Sequence, residues 1–429
     1  MQDVNLTVEA DELDGEERDS LLPDIEPTHS ERWGAPCSVV VAYIYVLAIF
    51  AGEHWLKWLA GFGALFCVGA ALALRKTRRA RESWLWLMCL WVTLICGAIG
   101  RANAWGDGCG VIAHGFAVYW VAVRSGVLLN GGTSRYFPAD VLHGAIVAPF
   151  RNLFLRLRVM KSCLRRREKG PFSPAALLGT ALAVLAALTL FVVSALLLSG
   201  ADPNFERLTG GLWRALEGMD GRYMIYLAFS LPVGAYLFGL VFGLGRETGA
   251  EIEVRRRDID SELRDLRRVP ATVWPWLLGA FAALYIAFFA VQGSYLFDGL
   301  RNVLPERFTA AEYARRGFFE LCGVLAVNFT LLGLAALSIE GGLRSHPAAK
   351  GMSAALLLES ALLAVTAGAK LILYIRRFGF TPLRLQSAWL VLALLAGCLA
   401  ALRSLLTGKD ATRQWLAFAA VTLAGTMVW

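Results

Sequence analysis

Long apolar blocks alternating with short polar or basic segments dominate this sequence, at 37–51, 55–74, 83–102, 111–129, 175–198, 222–244, 272–292, 318–338, 351–374, 386–405 and 412–429. Most of them are about 18 to 25 residues long, which at a rise of about 1.5 Å per residue crosses a hydrocarbon core of about 30 Å. The pattern predicts an all-α fold: a polytopic transmembrane bundle of about eleven spans. Only Gly52, Glu53 and His54 separate the first two blocks, so these form a tight hairpin or a re-entrant pair.

The polar segments set the orientation. Five basic residues lie between Arg75 and Arg81, eight between Arg151 and Lys169, and seven between Arg246 and Arg268. Alternating spans put all three segments on one face, and the positive-inside rule makes that face cytoplasmic. The N-terminus is then cytoplasmic and Trp429 external, which predicts a multi-pass protein of a bacterial inner membrane. From Leu142 to Leu164, the residues Leu142, Ile146, Phe150, Leu153, Leu157, Met160 and Leu164 recur every three or four positions, with Arg151, Arg156, Arg158 and Lys161 off that stripe. This predicts an amphipathic helix in the headgroup plane, which either senses lipid or packs beneath the bundle. Residues 251–268 mix acids and bases around Ile252, Ile259, Leu263 and Leu266, as a solvated helix with an edge for a partner does. Four regions follow: an acidic cytoplasmic tail at 1–35, a four-helix membrane section at 36–130, a basic amphipathic segment at 131–172 and a second membrane section at 173–429.

Composition agrees with this layout. The chain is 57% hydrophobic and 18% charged, and its mean hydropathy is +0.54. Its net charge of +8 conceals eleven acids against Arg18 and Arg32 in the first 32 residues, so the remainder carries about +17. Basic loops of a membrane protein face anionic lipid, so the charge does not call for nucleic acid. The acidic tail lacks the basic and apolar regions of a signal peptide and reads as disordered. Eight cysteines without a CxxC pair, and five histidines without HxxxH or HxxE spacing, argue against a disulfide framework, a metal centre or a metal cofactor. Phosphate-loop, nucleophile-elbow and zinc-protease motifs do not occur, and GDGCG at 106–110 reads as a turn. Arg124 is placed to snorkel, His114 reads as a satisfied core group, and Trp84, Trp86, Trp91, Trp274 and Trp276 fit interfacial belts.

Two stretches are more specific: GSYLFDGLRNVLPERFTAAEYARRGFFEL at 293–321 and KLILYIRRFGFTPLRLQSAW at 370–389. Through Tyr295, Glu312, Tyr313, Ala314, Arg315, Gly317 and Phe318, then Tyr374, Phe378, Gly379, Thr381, Leu383 and Arg384, they resemble a bacterial multi-spanning family, domain of unknown function 4173, related to the one numbered 4153. The resemblance covers the layout of about 175–429. It implies a multi-pass architecture and no activity.

The same stretches hold the candidate site. Arg315, Arg316, Arg376, Arg377 and Arg384 fall on the external side, against the positive-inside rule, and cations retained there call for anionic partners. Glu320 lies five residues inward of Arg315 and Lys370 six inward of Arg376, about 7.5 and 9 Å at helical rise, so Glu320 and Lys370 are expected within about 8 Å of each other. Glu359 and Asn328 form a deeper polar layer. In a purely structural alternative, Glu312, Arg316 and Glu320 neutralise one another at i, i+4 spacing. Gly317 and Gly379 would let backbones approach, and Thr381 with Pro382 would cap and open the tenth span.

Three functional readings follow. The first is a non-enzymatic envelope or signalling component whose partners are membrane lipids and cytoplasmic proteins met through 1–35 and 251–268. The second is a transporter or lipid-handling protein that takes an anionic headgroup at the external arginines. In the third, an enzyme acts on a lipid-linked substrate with Glu312 or Glu320 as base; the sequence offers no catalytic spacing for it.

Overall fold

The computed structural model describes residues 25–50, 55–75, 81–100, 105–106, 108–165, 221–265, 270–298 and 310–428, with the single positions 191, 194 and 198. Among them every regular element is helical. The expected span at 175–198 apart from those three positions, the tail before residue 25 and the loops at 199–220 and 299–309, expected on the external side, lie outside the described residues.

Fifteen helical segments can be named: α1 His29–Phe50, α2 Trp55–Ala73, α3 Ser83–Ala98, α4 Gly108–Ser125, α5 Phe137–Leu142, α6 Ala148–Arg151, α7 Leu155–Arg165, α8 Gly221–Phe238, α9 Leu244–Arg246, α10 Gly249–Asp265, α11 Val273–Asp298, α12 Ala310–Ser338, α13 Pro347–Phe378, α14 Pro382–Thr407 and α15 Thr412–Thr426. Among the described residues, six stretches are long and apolar enough to cross a membrane: those of α1, α13 and α14, with Ile225–Arg246, Val273–Val291 and Phe318–Ser338; two shorter apolar helices run Lys57–Ala73 and Ser83–Ala98. Their outward residues confirm the solvent they need: Ile286, Val291, Leu358, Val365 and Leu399 are all more than half exposed. In water such a surface would aggregate. The protein is a helical membrane protein.

The chain forms two compact units, one of Met1–Arg78 with Val141–Arg246 and one of Arg79–Asp140 with Glu247–Trp429. In the first, α1 packs against α2 and α8. Thr28 and Glu31 close a reciprocal cap at the start of α1, the Thr28 backbone N–H donating to Glu31 Oε2 at 2.7 Å and the Glu31 N–H to Thr28 Oγ1 at 3.3 Å. Arg246 adds an ion pair to buried Glu31, which joins the start of α1 to the end of α9. At the other end Phe50 stacks on Tyr226, so α1 and α8 run antiparallel.

The segment 137–165 departs from the single amphipathic helix its stripe predicts. After α5 the backbone widens into a π-helical turn at His143–Val147, resumes as α6, and breaks at Asn152–Phe154 before α7. At the break the Asn152 side-chain amide joins its own backbone N–H in donating to Ala148 O, at 2.9 Å, and its side chain sits where a Cβ on Gly243 would stand. A second π turn, Gly239–Gly243, faces this elbow, and Gly239 lies so close to Pro149 O that a Cβ there would come within 2.7 Å of it. The orientation of the stripe is also informative. Leu142, Ile146, Phe150 and Leu157 are exposed, whereas Arg156, which lies off the stripe, is buried.

The second unit is built around α13, which packs on α11, α12 and α14. Leu278, Leu325, Leu356, Leu363, Ala364, Ala367 and Cys398 form the centre of its core, small residues on α13 allowing close helix approach. One end of this unit is polar. Glu82 accepts from the Thr133 backbone N–H at 3.0 Å and pairs with Arg413 at 2.7 Å, the Arg135 N–H donates to Asp410, and Tyr136 donates to Asp260. The start of α3, the loop after α4, α10 and the α14–α15 turn therefore share one side. At the opposite end Trp105 donates to Thr426 and meets Trp389 edge-on. Trp84 and Trp276 are exposed, as a belt requires, but Trp86 and Trp274 are buried, Trp86 against the Tyr119 ring. Arg124 is buried rather than snorkelling.

Candidate polar site in the membrane-spanning helices

The most polar point inside the second unit lies where α11, α12 and α13 meet. Asn328, 1% exposed, accepts from the Tyr285 hydroxyl at 2.6 Å and donates to Ser360 Oγ at 2.9 Å; Ser360 in turn donates to Leu356 O at 2.7 Å. One amide thus fastens three helices in a region where water cannot substitute. Glu359 precedes Ser360 on α13, and its charge acts on the Tyr285 hydroxyl. Its Oε2 is buried and accepts no hydrogen bond, and the hydroxyl of Ser353, two turns before Ser360, is likewise buried and unpartnered.

The remaining candidates lie further along the same helix. Lys370, half-buried and about 16 Å beyond Glu359 at helical rise, feels the charge of exposed Glu320 on α12. Arg376 and Arg377 are exposed in the last turn of α13, where the helix dipole favours a cation. Arg384, in the first turn of α14, reaches back: its Nη1 donates to Phe378 O at 2.8 Å and to Gly379 O, and its guanidinium lies 4.3 Å from the centre of the Tyr374 ring. It closes the end of α13 by bonding carbonyls that the helix leaves without partners. The side chains of Glu312, Arg315 and Arg316, in the first two turns of α12, lie outside the described residues, as does Gly317.

The candidates therefore form three tiers along α13 rather than one cluster. Glu359 keeps company with Tyr285, Asn328 and Ser360; Lys370 with Glu320; Arg384 with Tyr374 and the helix end. Two local expectations change. Nothing lies within 4 Å of a Cβ placed on Gly379, so that glycine serves its φ of +79° rather than a close approach. Thr381 does precede α14, with Pro382 in its first turn, but its side chain makes no capping bond. The sequence reasoning passed over Tyr285, Ser353 and Ser360. The available signal was the seven-residue spacing of the serines beside Glu359, which puts them on one helical face.

A family model for domain of unknown function (DUF4153) matches residues 38–429. The chain belongs to the DUF4153 family. The numbering suggested by the two motifs was that of the related 4173 family, and the shared pattern extends over far more of the chain than the resemblance at about 175–429. For this DUF4153 protein, comparison with curated proteins and with solved structures finds no match. The DUF4153 match takes in all of the second compact unit and the first from residue 38 onward, and the acidic tail at 1–35 precedes it.

Proposed function

We propose that this DUF4153 protein is a multi-pass carrier of a bacterial inner membrane that handles a polar or charged guest among α11, α12 and α13. The reading rests on one observation: Glu359 holds a carboxylate oxygen, buried and without a hydrogen-bond donor, beside a network that is otherwise satisfied. A charged group costs several kcal/mol in hydrocarbon, and a residue serving only to glue helices would have its oxygens bonded. Glu359 is suited to accept a proton or an ammonium or metal cation, with Tyr285 as the adjoining hydroxyl. Lys370 feels the opposite charge of Glu320 on the path toward the external side, and the basic segments keep the opposite end cytoplasmic.

Proton flux into dye-loaded proteoliposomes, with and without sodium or potassium gradients, tests this. Glu359→Gln should lower flux at least tenfold while the melting temperature holds. Equal flux in a folded variant would refute the assignment. A second reading, a non-enzymatic signalling or envelope component, is favoured by α10, whose mostly exposed surface carries a solvated Glu253–Arg257 pair. In that reading cytoplasmic proteins dock on α10 and the acidic tail.

A further inference from the structure

Ser353 and Trp274 break a habit that their neighbours in the second unit keep. On α12 and α13 the hydroxyls of Thr330, Ser360 and Thr366 each donate to the carbonyl four residues back, the bond that suits a hydroxyl where water is scarce. The Ser353 hydroxyl does not: the residue is 0% exposed and its Oγ is buried without a partner. The indoles of Trp105, Trp389 and Trp415 donate to Thr426 Oγ1, Ala419 O and Ala393 O. Trp274, 7% exposed, keeps a buried Nε1 without an acceptor. Trp274 lies eleven residues, or three turns, before Tyr285 on α11, and Ser353 seven residues, or two turns, before Ser360 on α13. Each therefore shares a face with a side chain that meets Asn328, about 16 and 10 Å further along its helix.

Met352 Sδ stands 3.6 Å from the place of a Cβ on Gly279, so α11 and α13 run side by side and parallel at this level. Trp274 and Ser353 thus lie on one side of the Asn328 junction, toward the starts of both helices. That end is the charged one: α11 follows α10 in the chain, and Arg344, in the turn before α13, lies against Gly408 between α14 and α15. Between the two polar levels stand Leu278 and Leu356, both 0% exposed, which close the way in the conformation described here. We propose that Trp274 and Ser353 are the steps by which water, bringing the proton that Glu359 takes up, arrives from the end that bears α10, with Leu278 and Leu356 as the gate, a route that rests on the reading of Glu359 as a proton acceptor. Water accepts from the indole N–H and bonds the serine hydroxyl in either direction, so it satisfies both groups. An apolar layer stops conduction by staying dry and admits water when its side chains part. Beyond it hydronium gives its proton to the Glu359 carboxylate and leaves as water.

Sided thiol labelling of the full chain in vesicles tests the route without measuring transport. The protein carries Ser353→Cys together with Ser261→Cys on the exposed face of α10, the second marking which side bears α10. A membrane-impermeant methanethiosulfonate is added outside, and peptide mass spectrometry reads each position, so the native cysteines stay in place. Ser353→Cys should be modified at least tenfold faster from the side that labels Ser261→Cys than from the other, because access follows local opening toward that side. Adding Leu356→Ala, which thins the apolar layer, should raise the rate at least threefold; an unchanged rate would overturn the gate. Equal modification from both sides, faster modification from the far side, or none from either would overturn the route. Should Ser353→Cys not fold, Ala349→Cys, one turn nearer the mouth, takes its place. Sided labelling combined with unchanged flux in Glu359→Gln would refute the proton site and leave the water route, whereas flux that needs Glu359 without such labelling would refute the route alone.

Discussion

Replacing Asn328 by alanine removes both hydrogen bonds that join α11, α12 and α13, and the structure says how the loss divides. The Tyr285 hydroxyl loses its acceptor and is left buried, whereas Ser360 keeps its bond to Leu356 O. Measured side-chain hydrogen bonds in membrane proteins average about 0.6 kcal/mol and reach about 1.7, so the two bonds together set a destabilisation of about 1 to 3 kcal/mol. A double-mutant cycle of Asn328→Ala with Tyr285→Phe should give a coupling of about 0.6 to 1.7 kcal/mol. The cycle with Ser360→Ala should give less, because only one of the two bonds at that hydroxyl involves Asn328. Unfolding in mixed micelles of dodecyl maltoside and sodium dodecyl sulfate, followed by tryptophan fluorescence, supplies the energies. A Tyr285 coupling within about 0.3 kcal/mol of zero would show that the amide does not hold these helices together.

Gly239→Ala should destabilise the first unit by about 1 to 3 kcal/mol, since the new methyl group meets the backbone oxygens of Pro149 and Asn152, which cannot swing aside as a side-chain tip can; thermal unfolding of the purified variant measures it. Asp410 offers a pH test. Burial pushes its carboxyl upward, but the hydrogen bonds from Thr412 and Arg135 and the Arg135 charge outweigh it and hold the group below its ordinary value of 3.8. A depressed carboxyl stabilises the folded state above its unfolded value and loses that contribution as pH falls through the folded one. Melting temperatures should therefore decline below about pH 4, with a shallower decline in Asp410→Asn; identical acid profiles would count against the latch.

Hydropathy located the long apolar helices, because a lipid-spanning block announces itself by length. The capping pairs Thr28 with Glu31 and Thr248 with Glu251 were also open to reading, at the spacing that helix starts favour. The interior of the elbow was not. Its apolar residues keep helical spacing straight through Asn152, so periodicity cannot register the break there. Nor can it tell which face is covered: in lipid the apolar stripe of 142–157 turns out and the small face turns in, carrying Arg156 with it. The candidate site was half legible. Glu359 and Asn328 stand out as polar residues in apolar blocks, but Tyr285 and the serines are ordinary there, and only their convergence from three helices distinguishes them. Arg384 looked like a cation awaiting a guest because sequence gives no view of the carbonyls it bonds at the end of α13.

Helix α13 also works as a ruler. Lys350 and Lys370 are twenty residues apart, about 30 Å at helical rise, which equals the thickness of the hydrocarbon layer. Glu359 sits within about 3 Å of the midpoint between the two ammonium groups along the helix. Sliding α13 lengthwise by one turn, about 5.4 Å, would drag one anchor into oil. Any movement that exposes Glu359 first to one compartment and then to the other must therefore pivot or roll the neighbouring helices around a shaft that stays fixed in height.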